Sequence, residues 1–125
     1  MSGSPTRFLK PLRRITLLLA AAGACYLMWR FDVYGLPGEC SPVRAVPAGA
    51  RMVVDMHPSV CEVGDLVFYE HPETGLEFGR VVERGPDHAS VATDNEQCVS
   101  PSGMGPHTVP IADVAARVVF VLGAP

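Results

Sequence analysis

Lysine is almost absent from this chain of 125 residues: of its ten basic residues only Lys10 is a lysine, so no amine beyond residue 10 is available as a general base. Cysteines are few and form no C-x-x-C pair, and the four histidines (57, 71, 88 and 107) stand singly. A zinc site, or any other metal or cofactor, therefore has no support. Solvated surface positions are expected for all four histidines. Blocks of like charge, internal repeats and low-complexity tracts are also missing, which excludes a nucleic-acid patch and a disordered acidic tail. At this length a multidomain enzyme is excluded too.

What the chain does have is apolar residues, 48% of the total, and they are unevenly spread. Residues 1–14 carry Arg7, Lys10, Arg13 and Arg14 with no acid, a local charge of +4. Beyond Arg30 five arginines face thirteen acids, giving −8. Between these parts Ile15 to Trp29 is an uncharged run of 15 residues, about 22 Å of helix against a hydrocarbon core about 30 Å thick. Leu9 and Leu12 extend the apolar register, Arg14 and Arg30 can snorkel, and Trp29, Phe31 and Tyr34 stand where an interfacial aromatic belt belongs. The expected organisation is a basic cytoplasmic head (1–14), a single-pass anchor in membrane lipid (15–34) and an exported body (35–125), oriented by the positive-inside rule. That corresponds to a bacterial-type inner membrane with the body on the periplasmic side. Cleavage after Ala22-Gly23-Ala24, or a lipoprotein-type cut before Cys25, competes with it. The apolar Tyr26-Leu27-Met28-Trp29 that follows argues against both.

In the body, Gly38, Pro42, Pro47 and Gly49 mark a connector. Five runs rich in β-branched and aromatic residues follow, at 51–55, 65–69, 77–83, 89–93 and 116–122, separated by turn clusters, with one helical turn after Ile111. The expectation is an all-β sheet or partly open barrel of five or six short strands. Cys25 lies in the apolar run as a small hydrophobe. Of Cys40, Cys61 and Cys98, all in the exported part, one pair can bridge and one thiol is left over; the spacing does not choose between them.

Several pieces occur in a meaningful order. Behind one anchor come Gly64-Asp65-Leu66-Val67, then Gly79-Arg80-Val81-Val82, Asp94-Asn95, Gly105-Pro106 and a closing strand with Arg117. Over most of residues 44–122 the chain resembles the signal peptidase I family, and among its members the short TraF-type conjugative-transfer leader peptidases. The resemblance implies a Ser nucleophile and a neutral Lys base. The nucleophile motif Ser-x-Pro-x-Gly-x-Tyr falls on Ala45-Val46-Pro47-Ala48-Gly49-Ala50-Arg51, which places Ala45 at the serine. An alternative alignment on Asp55-Met56-His57-Pro58-Ser59-Val60 places Asp55 there. The lysine position is Gly79, and Arg80 beside it is too basic to serve.

The dyad is thus missing from a scaffold that retains Gly64, Asp65, Arg80, Asp94, Asn95, Gly105, Pro106 and Arg117. The resemblance implies a peptide groove flanked by Arg44, Val46, Pro47, Gly49 and Arg51, which binds an extended peptide by strand addition. The expected function is that of a catalytically inactive, signal-peptidase-like accessory or peptide-binding subunit among membrane-protein partners, with no nucleic-acid partner. The rival expectation is an active peptidase with a relocated pair, such as His57 with Ser59, or one using Ser41, Ser90, Ser100 or Ser102. A third is a plain bitopic subunit without a groove. Asp65, Asp87 and Asp94 read as turn formers.

Overall fold

A computed structural model describes residues 5–58 and 61–123. The chain separates into two units, one ending at Arg30 and one starting at Phe31. The first is a single helix, α1 (Pro5–Arg30). Its segment Leu9–Arg30 is long and apolar enough to cross a membrane: 22 residues make about 33 Å of helix. Leu17, Leu18, Leu19 and Met28 all lie exposed along it.

The helix stops where β-formers replace helix formers, at Phe31, Val33 and Tyr34, and Gly35 and Pro37 follow. The helix takes in Lys10, Arg13 and Arg14 together with the apolar run, and residues 31–35 form the first strand of the body. Within the body the Tyr34 and Phe68 rings pack in a T-shaped arrangement, their centroids 5.0 Å apart.

The second unit is all-β. Strands β1 (Phe31–Gly35), β2 (Arg51–Asp55), β3 (Leu66–His71), β4 (Gly75–Arg84), β5 (His88–Ala92), β6 (His107–Pro110) and β7 (Val114–Gly123) form one sheet in the order β1-β2-β7-β3-β4-β5-β6. All neighbours are antiparallel. The five expected runs are β2, β3, β4, β5 and β7, and the expected helical turn is a 3-10 turn at Ile111–Asp113.

Alternation along the strands builds two cores. On one face Met52, Val54, Phe68, Phe78 and Ala116 pack under Val43, Val46 and Ala50 of the 36–50 connector. On the other, Val67, Tyr69, Val81, Val91 and Val109 close around Cys61 and Ala89. There the sheet curls, and the His107 ring on β6 comes within 5.9 Å of the His71 ring on β3. The body is therefore an open sheet with one end rolled toward a barrel.

Candidate functional site

The residues singled out by motif are mostly occupied in holding loops. Gly64 takes φ +96°, where a side chain would be strained. Its N–H donates to the Val81 carbonyl at 2.8 Å, and its own carbonyl accepts from Arg80 Nη1 at 3.0 Å. Asp65 accepts the Glu62 N–H at 2.8 Å, closing the same turn. Asp94 Oδ1 accepts the Arg44 N–H at 2.8 Å, and Asn95 Nδ2 donates to the Ser41 carbonyl at 2.7 Å. These two residues thus clamp the connector that carries Ala45. Gly105 precedes a cis bond to Pro106, and a Cβ on it would lie 2.8 Å from the Val91 carbonyl oxygen.

None of the positions aligned with the dyad, Ala45, Asp55 or Gly79, carries a hydroxyl or an amine. Ala45 is exposed in the clamped connector and has no hydroxyl. Asp55 is 2% exposed; it accepts the His57 N–H at 2.9 Å and faces Arg117 Nη2 at 3.9 Å, a buried charge beside its counter-charge. Gly79 sits in the middle of β4, where a Cβ would come within 2.6 Å of Val91 Cγ1 and 3.1 Å of the Ala92 carbonyl oxygen. The packing of β5 closes the position expected for the base.

The groove candidates divide. Arg44, Val46 and Pro47 line a depression with Glu39, Asn95 and Gln97, but Val46 is itself buried in the core. Gly49 closes a turn at φ +75°, its N–H bonded to the Pro37 carbonyl, and Arg51 is exposed in β2. Residues 44–50 form no strand, so they offer no edge of their own.

An edge exists elsewhere. β5 pairs with β4 only from Arg80 onward, while β3 covers Gly75 to Arg80 on the opposite side. The N–H and C=O of Val81 both bond toward the β3 side, to Asp65 and Gly64. Antiparallel pairing alternates, so the backbone groups of Leu76 and Phe78 turn the other way, where no strand pairs with them among the described residues. Beside this edge runs a 380 Å³ groove floored by Phe68 and Phe78 and walled by Leu36, Pro37, Val99 and Pro101. Its two walls are stapled by the Cys40–Cys98 disulfide. That bridge settles the pairing: Cys61 is the leftover thiol and is buried, and Cys25 is exposed on α1.

One polar cluster was not anticipated as a unit. Glu77, 5% exposed, accepts Ser102 Oγ–H at 2.8 Å and Ser102 N–H at 3.2 Å on one oxygen, and Thr74 Oγ1–H at 2.8 Å on the other. Burial pushes this carboxyl up, but the bonds from Ser102 and Thr74 outweigh it and hold the group below its ordinary range. The neighbouring Tyr69 hydroxyl is pushed up by burial, against the effect of Ser102 and with that of the Glu77 charge.

His107 Nε2 lies 3.2 Å from Ser102 Oγ and 3.3 Å from the Gly103 carbonyl. This is a Ser–His pair within hydrogen-bond reach, and on geometry alone it is eligible for catalysis. The serine hydrogen, however, is directed at Glu77. The imidazole nitrogen then faces two oxygen acceptors, and the tautomer that satisfies both carries its hydrogen on Nε2, which is the reverse of a general base toward Ser102. Of the other relocated pairs, His57 with Ser59 involves a serine outside the described residues. His57 and His88 are exposed as expected, whereas His71 and His107 are half-buried, a correction to the surface expectation for those two. No group of three metal-ligating side chains occurs among the described residues.

Compared with known proteins, the chain matches no family model, no curated protein and no solved structure.

Proposed function

We propose that this protein is a single-pass membrane protein whose exported β domain is a catalytically inactive relative of the signal peptidase I family, acting as an accessory, peptide-binding subunit of a membrane assembly. The observation that carries the reading is the open strand edge at Leu76 and Phe78 beside an apolar, disulfide-walled groove. Such an edge binds main chain by strand addition, and the groove accepts alternate side chains. The absence of a usable dyad supports binding without cleavage. Ala45 has no hydroxyl, Asp55 is paired with Arg117, and Gly79 has no room for a side chain.

The test is a panel of signal and pilin-leader peptides offered to the full chain in lipid nanodiscs. Binding without cleavage is expected. Leu76→Pro removes an outward N–H that β3 does not use, so it weakens binding several-fold while Leu76→Ala does not. Peptide binding unchanged in Leu76→Pro refutes the edge. A second reading, an active serine peptidase, has the 3.2 Å proximity of Ser102 to His107 in its favour and requires Ser102 to turn its hydroxyl from Glu77 to the imidazole. It requires cleavage by the wild type that disappears in Ser102→Ala.

A further inference from the structure

Beyond Arg117, β7 leaves β3 and pairs only with β2, which in turn carries β1. The result is a three-stranded extension of the sheet. Val33, Val53 and Phe120 are successive partners across it, on the face opposite Met52 and Val54 of the core. Val33 and Phe120 are 51% and 53% exposed, and Leu122 and Val119, at the two bulges of β7, are exposed beside them. No strand or loop of the β unit is described upon this face, and a contiguous exposed apolar patch is a mark of a contact surface.

We infer that this face rests on the lipid bilayer. The inference rests on α1 spanning the membrane, and three features favour lipid over a protein occupant. First, β1 begins at Phe31, the residue directly after the end of the apolar helix, so the strand that opens this face is joined to the anchor with no intervening linker. Second, the row consists of two valines and a phenylalanine with no hydrogen-bonding side chain to specify a protein partner. Third, Arg51, exposed at the end of β2, and Trp29, exposed near the end of α1, are the residue types that settle at headgroup depth.

The experiment uses the full chain in phosphatidylcholine vesicles containing bromine-labelled acyl chains, which quench tryptophan on contact. Trp29 is the only tryptophan, so the wild type reports on the helix. In a Trp29→Phe background, Phe120→Trp reports on the face, with Val33→Trp as a second reporter in case the first disturbs folding. Thr108→Trp, on exposed β6, is the control. Strong quenching of the wild type and of both face reporters is expected, with little at position 108. A quenched wild type with unquenched face reporters overturns the lipid assignment and leaves the anchor standing. Face reporters shielded from both bromolipid and aqueous acrylamide also overturn it, in favour of a protein occupant. An unquenched wild type removes the anchor, and the inference with it.

Discussion

Gly79 shows how the packing around a position decides which side chain it can carry. A Cβ at this position meets Val91 Cγ1 at 2.6 Å and the Ala92 carbonyl at 3.1 Å, so β5 has packed into the space a longer side chain needs. A lysine at Gly79 would collide with β5, so placing a serine at Ala45 and a lysine at Gly79 does not build a dyad. Gly79→Ala alone is expected to cost about 1–3 kcal/mol, the usual range for forcing a methyl into a filled core. Trimming the obstacle separates this collision from a generic glycine effect. In a Gly79→Ala/Val91→Ala double variant the two substitutions are less than additive, because the second removes the atom that the first strikes. Urea unfolding of the two single variants and the double variant reads the coupling, and strict additivity rules the explanation out. Asp55 makes the same point with charge: opposite Arg117 and bonded to the His57 N–H, it is committed to its neighbours.

At the scale of elements, the loop between β5 and β6 is held at two points in its middle, by the Cys40–Cys98 bridge and by Ser102 on Glu77. Because Glu77 titrates below its ordinary value in the fold, its contribution is complete above the unfolded carboxyl pKa of about 4.3 and is lost as pH falls through the lowered folded value. Removing the hydroxyl in Ser102→Ala is expected to cost about 1.5–3 kcal/mol at pH 7, the range for a hydrogen bond to a charged group. The penalty shrinks toward pH 3 as the carboxylate is neutralised. Urea midpoints for wild type and variant across that interval check it, and a penalty independent of pH rejects Glu77 as the partner.

Periodicity revealed the five strands with strong β-branched runs, because alternation is a local signal. It missed β1, whose residues continue the apolar register of the helix, and β6, where four residues ending at Pro110 are too short to show a pattern. The disulfide pairing and the Glu77–Ser102–His107 cluster were illegible for another reason. Both depend on the return of the 93–106 loop across β4, a contact between positions 25 or more residues apart that no spacing rule encodes.

For the whole molecule, the distribution of charge carries more than its sum. A net charge of −3 divides into +4 in the first 14 residues, +1 at Arg30 and −8 beyond it, with the uncharged run Ile15 to Trp29 between the head and Arg30. Juxtamembrane Lys and Arg resist translocation, whereas acids contribute little, so the asymmetry of Arg7, Lys10, Arg13 and Arg14 should retain the N-terminus in the cytoplasm and export the sheet. The bridge agrees with this direction, because disulfides persist on the oxidising side of the membrane. The two arguments are independent, one resting on the head and the other on the body, and a single experiment addresses both. With alkaline phosphatase fused after Pro125, the wild type should give an active fusion with Cys40 and Cys98 oxidised. Replacing the four basic head residues with glutamine should lower fusion activity and leave a growing fraction of chains with both thiols reduced. The two readouts must move together, since orientation sets both. Full oxidation in chains whose fusion is inactive breaks the link between charge, topology and bridge.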